Sequence, residues 1–399
     1  MKLIKNAVVL TMNAARQVYR DGAVAFDGDS IVEVGKTADL LDKYTYDEVI
    51  DAHDKLVMPG FVAAHVHLFQ TLYRGLGDDL PLADWLLKCI YALSYHLDED
   101  ASRVGAELSA LELMRSGVTT YVDSHYITRD KRCYDGIAAG TLRTGIRGVI
   151  VRSTVNNPET TPEPFLEPID VAQKECARVI EAYHGYQDGL LSVRVEALNE
   201  SSATPDMIRA MYDVSRQYNV GMSMHLAETN VRYQSTIDHF GRTPVGFLND
   251  LGVLGSHLLL AHCVWLTKTD MALLSSTGSN VVYNSVSNQY LADGIADVPS
   301  LLRAGINVAL GPDGAASNNN LNMLEELHLC SVVHNGYNQD PTIMNPNDTV
   351  KMATLNGAKI QGRTDCGGIK VGNRADIIAL DFDKPHLLPA FDPLAMLCY

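Results

Sequence analysis

Four stretches of this chain end an apolar run on a side chain that can hold a metal or move a proton. They are Ala63-Ala-His65-Val-His67, Met224-His225-Leu-Ala-Glu228, Ala261-His262-Cys263 and Leu310-Gly-Pro-Asp313. Histidines at i and i+2 of a strand point to the same face, so two neutral imidazoles can converge on one ion. Any one of these histidines alone is more often buried packing than a ligand. It is their coincidence at the ends of four separate apolar runs that points to a metal site.

The elements that must position them are short and regular. Residues 1–57 alternate apolar and polar positions between Asp-Gly turns, a small β module. From Pro59 onward, apolar runs alternate with stretches of helical periodicity. Strands are expected near 60–67, 118–124, 146–153, 190–198, 220–227, 257–263, 279–285 and 306–312. Helical segments include 100–115, stopped at Gly117, then Pro205–Asn219 and Asp297–Gly305. An open doubly wound sheet would give similar local text, but the polar strand ends favour an α/β (β/α)8 TIM barrel, whose active sites lie at the carboxyl ends of its strands. The barrel is expected over 58–362. After a helix near 347–361, Val371–Phe382 returns to strand texture, so 363–399 should rejoin residues 1–57 in a β-sandwich-like module and leave it incomplete.

Composition narrows the class. With 46% hydrophobic and 20% charged residues and no apolar run of about 18, the chain does not read as a membrane protein. The amino terminus reads as a strand rather than a secretion signal, which gives a cytoplasmic expectation. Seven scattered cysteines form no C-x-x-C pair and look like reduced structural thiols. A formal charge of −16 argues against nucleic acid and for a small-molecule partner. It leaves a homo-oligomer open.

The order His-x-His, His, His, Asp along eight βα units resembles the amidohydrolase superfamily. PGFVAAHVHLFQTLYRGLGDDLPLADWL, HLAET, LLLAHC and GPDGAASNNNLNM resemble more narrowly the branch of methylthioadenosine and S-adenosylhomocysteine deaminases and s-triazine hydrolases. The resemblance covers nearly the whole chain. It implies that His65, His67, His225 and Asp313 hold one divalent ion, zinc before iron. Such an ion lowers the pKa of bound water from about 15.7 to roughly 7. The fourth strand end, SVRVEALNE, carries no lysine, which disfavours a carbamate-bridged metal pair. The same resemblance makes Glu228 the proton shuttle, His262 the imidazole that orients the attacking hydroxide, and Asp313 both ligand and proton acceptor.

Substrate residues are harder to read. Gln70, in the loop past His67, offers a donor and an acceptor for the edge of a heterocycle. Trp85 resembles an aromatic placed over the site in related deaminases, and Arg152 matches a position that holds a substrate carboxylate. Ser317 and Asn199 are placed with the substrate, and His125 faces the same rim. Where nucleoside deaminases of this branch carry a Gly-Pro-His-Ser-Pro segment, this chain has Glu196-Ala-Leu198-Asn199-Glu200. Leu198 stands in the histidine's place, so a ribose hydroxyl loses a partner, and a free aminated base, pterin or triazine is expected to be preferred over a thioether nucleoside.

The reading is a metal-dependent hydrolytic deaminase of an aminated nitrogen heterocycle, releasing ammonia. The alternatives are an s-triazine hydrolase displacing chloride or alkylamine, a non-catalytic paralogue acting as an interaction protein, and a cyclic-amide hydrolase. The third predicts eroded ligands, and none of the key positions is eroded; the fourth expects the absent lysine.

Overall fold

In the computed structural model, which describes residues 1–399, two sheets divide the chain. The first begins with β1 (Lys2–Leu10), β2 (Val18–Asp27), β3 (Ser30–Lys36), β4 (Glu48–Asp51) and β5 (Lys55–Pro59). It forks at β1, whose first half pairs with β4 and whose second half pairs with β5.

The second sheet is the barrel. Its strands are β6 (Phe61–His67), β7 (Val118–His125), β8 (Arg147–Thr154), β9 (Leu191–Asn199), β10 (Met222–Leu226), β11 (Leu258–His262), β12 (Asn280–Tyr283) and β13 (Asn307–Leu310). Every neighbouring pair is parallel. The eighth strand breaks at Gly311-Pro312, where proline has no N–H to give a ladder. It resumes as β14 (Asp313–Gly314), which pairs with Val66 and His67 of β6 and so closes the circle. All eight expected strands are present, with ends shifted by no more than two residues. The last strand, β15 (Ile377–Asp381), pairs antiparallel with β5, so the tail does return to the amino-terminal sheet.

Small and branched side chains fill the barrel: Ala64, Val122, Val149, Val151, Leu259, Val282 and Ala309 form one buried cluster. The backbones come close where the eighth strand crosses the first. A Cβ on Gly311 would lie 2.5 Å from the His65 carbonyl oxygen and 2.7 Å from its nitrogen, so only glycine lets these backbones approach. The helix expected at 100–115 is Glu99–Arg115, opened by Asp98, whose side chain accepts from Ala101 N. No helix is long and apolar enough to cross a membrane. All seven cysteines are buried and free.

Candidate metal centre

The strand ends are bent to aim their side chains inward. β6 slips register against β7 between Ala63 and Val66, a bulge beside the two histidines. At the other three ends the backbone enters the left-handed region on residues other than glycine: Ala227 at φ 50°, His262 at 72° and Asp313 at 60°. Each such residue costs on the order of 1–3 kcal/mol, and strain of this kind gathers at functional sites.

Four ligand-type side chains meet there, all buried. Asp313 Oδ1 lies 3.0 Å from His67 Nε2 and 3.5 Å from His65 Nε2. His225 Nε2 is 3.3 Å from His67 Nε2. The outer nitrogens are tied back: His67 Nδ1 donates to the Ser124 carbonyl at 2.6 Å and His225 Nδ1 to the Leu198 carbonyl at 3.2 Å. Glu196 links the two, receiving Ser124 Oγ at 2.6 Å and standing 3.5 Å from His225 Nδ1. His262 Nδ1 accepts from the Asn288 amide at 3.0 Å, which leaves its proton on Nε2, 3.7 Å from Glu228 Oε1. The other Glu228 oxygen pairs with Arg232 at 2.6 Å.

Residues 56–396 match the profile of the Amidohydrolase family. The chain belongs to that family. It is 36% identical over 398 residues to a 5-methylthioadenosine/S-adenosylhomocysteine deaminase of Syntrophobacter fumaroxidans, an alignment covering 100% of this chain and 88% of the relative. An adenosine deaminase from Xanthomonas campestris with bound zinc superposes with a TM-score of 0.93 at 27% identity, covering 100% of this chain and 88% of the other. The zinc complex of an atrazine chlorohydrolase from Arthrobacter aurescens TC1 gives 0.94 at 25% identity, covering 100% and 91%.

The donor set of this amidohydrolase fits a divalent ion. With both Nδ1–H groups donating elsewhere, His67 and His225 point bare Nε2 lone pairs at each other, and two nitrogens of a tetrahedral zinc shell stand about 3.3–3.4 Å apart. The ligand atoms of His65, His67 and Asp313 all lie within 4.8 Å of one another, as do those of His65, His225 and His262. His65 Nε2 has no hydrogen-bond partner in the protein. Burial pushes His65 and His225 down to about 3, aided by neighbouring imidazoles, so both are neutral and free to ligate. Burial alone would raise Asp313, but the His65 and His67 imidazoles beside it hold it well below the usual carboxylate range.

Above the donors lies a cavity of about 30 Å³, room for a water or two. Leu82, Trp85, Leu86 and Tyr91 are among the residues that line it. A larger hollow of about 750 Å³ opens at the opposite end of the barrel, lined by Lys351, Lys359 and Lys370 but by none of these donors. The donor set belongs to the smaller one.

The expected substrate residues divide. Gln70, Trp85, Leu198, Asn199 and Ser317 all line the cavity. The Gln70 amide nitrogen donates to Tyr126 Oη at 2.8 Å, leaving Oε1 with no protein partner. Trp85 Nε1 donates to the Ala316 carbonyl at 3.2 Å, which fixes the ring over the site. The Asn199 oxygen is spent on its own turn, accepting from Ser201 N at 3.0 Å and Ser202 N at 2.7 Å. Ser317 Oγ donates to Asp313 Oδ2 at 3.0 Å, a hold on a ligand. Arg152 lies apart from them. It does not line the cavity, and its two terminal nitrogens pair with Glu167 at 2.8 and 2.6 Å, so a buried partner already neutralises it. His125 is also outside, packed between the Phe69 and Tyr134 rings.

Sequence reasoning passed over Arg232, Tyr126, Glu196, Ser287 and Asn288. Arg232 was legible, standing four residues after Glu228 at the start of a helix. Ser287 and Asn288 give no comparable signal, since a serine and an asparagine after a seventh strand look like any turn.

Proposed function

We propose that this amidohydrolase is a hydrolytic deaminase that holds one zinc ion on His65, His67, His225 and Asp313 and acts on an aminated purine, as a nucleoside first. The observation that carries the reading is Glu228. Its carboxylate sits beside the donor set, one oxygen toward His262 and the other fixed by Arg232. When bound, the ion supplies a Lewis acid and a nucleophile at neutral pH. The protein's own groups do the rest. Glu228 takes a proton from the attacking water and delivers it to the ring nitrogen beside the amine-bearing carbon. His262, its tautomer set by Asn288, donates Nε2–H toward the oxygen that adds to that carbon. Asp313 accepts the second proton from the added hydroxyl as the tetrahedral carbon collapses, and that proton passes to the departing amine, so that the products are the oxo-heterocycle and ammonia.

The nucleoside form is supported by the name of the 36% identical relative and by the apolar wall of Leu82, Leu86, Ile127 and Leu291, which suits an uncharged 5′ substituent. A second reading, the free base, draws on Leu198 lining the cavity where a ribose would otherwise find a hydrogen-bonding side chain. The test is ammonia release by the zinc-loaded enzyme from 5′-methylthioadenosine, S-adenosylhomocysteine, adenine, a pterin and an s-triazine, compared as kcat/KM. A tenfold lead for a thioether nucleoside supports the first reading and a tenfold lead for adenine the second; no ammonia from any of them rejects both.

A further inference from the structure

Asp313 uses its two oxygens differently. Oδ1 faces His65 and His67, while Oδ2 accepts from Ser287 Oγ at 2.5 Å and Ser317 Oγ at 3.0 Å. The two hydroxyls come from different places, Ser287 from the short helix Ser285–Tyr290 after β12 and Ser317 from the loop after β14. Something must hold those two segments in register.

Glu326, on the helix Met323–Asn338, does so. Its Oε2 accepts from Ser285 N at 2.8 Å and Ser285 Oγ at 2.6 Å, and its Oε1 from Val286 N at 3.3 Å and Asn318 Nδ2 at 3.2 Å. Asn318 Nδ2 also donates to the Pro312 carbonyl at 2.8 Å, directly before Asp313. Glu326 is fully buried, and every bond its carboxylate makes is to an uncharged donor. A buried carboxylate without a cation costs several kcal/mol of desolvation, which neutral donors offset only in part.

We infer that Glu326 is a positioning residue for the metal-ligand carboxylate: it clamps the segments after the seventh and eighth strands, and through Ser287 and Ser317 it turns Oδ1 of Asp313 toward the histidines. The inference rests on the ligand reading above. Groups that orient a ligand typically set roughly 10–100-fold of metal affinity or activity.

The experiment measures zinc affinity by chelator competition, with kcat, KM and thermal midpoint, for Glu326→Gln, Ser287→Ala and the double variant. Glutamine keeps the shape but turns an N–H toward one of the donors, either Ser285 N or Asn318 Nδ2. Zinc affinity and kcat are each expected to fall about 10–100-fold in either single variant, with KM within about twofold. The double variant should be no worse than Glu326→Gln by more than about threefold, because the Ser287 bond is one of the two through which Glu326 acts on Asp313. Multiplying effects overturn the inference, as does a Glu326→Gln protein with a lower thermal midpoint but parental zinc affinity and kcat. If Glu326→Gln does not fold, Ser285→Ala takes its place: its expected loss of zinc affinity, about threefold or more, must vanish when Ser287 is already alanine, and persistence there overturns the inference. A parent protein that binds no zinc tightly rejects the ligand reading itself, whereas a parent that binds it and a Glu326→Gln variant that binds it equally reject only this inference.

Discussion

His67 Nε2 and His225 Nε2 lie 3.3 Å apart with their ring protons committed elsewhere, to the carbonyls of Ser124 and Leu198. Two imidazole nitrogens that face each other at this distance need a proton or a metal ion between them, and His65 and Asp313 beside them complete a donor set for the metal. The purified protein is therefore expected to carry one divalent ion per chain by elemental analysis, and chelation should lower its thermal midpoint. His65→Ala should lose ion and activity together. A His65→Ala protein that keeps both takes His65 out of the ligand set, and two ions per chain contradict a mononuclear centre.

Glu228 is held between His262 and Arg232, close to the donor set but not needed to complete it. Glu228→Gln keeps the shape and removes the proton-carrying oxygen. Zinc content should stay at the parental level while kcat drops by a factor on the order of 10² to 10⁴. A near-normal rate sinks the shuttle assignment; lost zinc makes Glu228 a structural partner of the centre instead.

How much of this was legible depended on how each residue signals. Apolar runs with polar ends declare strands and their catalytic rim directly, which is why His65, His67, His225, Glu228, His262 and Asp313 could be named from text and then found together. The buried pairing of Arg152 was not legible, because a strand-end arginine reads the same whether it faces a cavity or a buried glutamate, and Glu167 lies in a loop beyond the strand. Glu326 was silent for the opposite reason. Asn-Leu-Asn-Met-Leu-Glu-Glu reads as an ordinary helix start with acids in the first turn, and only the folded packing shows that Glu325 and Glu326 differ, the second being fully buried.

His334 is buried against the Tyr283 ring with no polar partner for either nitrogen. Burial lowers its pKa from 6.5 to about 4. A depressed folded pKa means that the folded state binds fewer protons than the unfolded one between those values, so stability is full above pH 6.5 and falls as pH drops toward 4. The loss is on the order of 3 kcal/mol at most. His334→Phe keeps the ring and removes the titration. Its denaturation midpoint should fall less than the parent's between pH 6.5 and 4, and identical acid profiles would falsify the assignment.

Gly314 and Gln70 share one small space beside Asp313. A Cβ on Gly314 would lie 1.8 Å from Gln70 Oε1, and Gln70 cannot swing away without giving up its bond to Tyr126. That oxygen is enclosed at the cavity wall with no protein partner, as expected of an acceptor waiting for a ring N–H or an exocyclic amine. Gln70→Ala should therefore cost roughly 1–3 kcal/mol of transition-state binding, about one to two decades in kcat/KM for the preferred heterocycle. Gly314→Ala should cost about as much by displacing the same amide, with zinc content unchanged. Because both act through one group, the double variant should be no slower than the worse single one. If Gly314→Ala has parental kcat/KM, the amide does not read the substrate from where it lies. If it instead loses zinc, the strain has passed to Asp313, and the crowding at this glycine protects the ligand rather than the substrate contact.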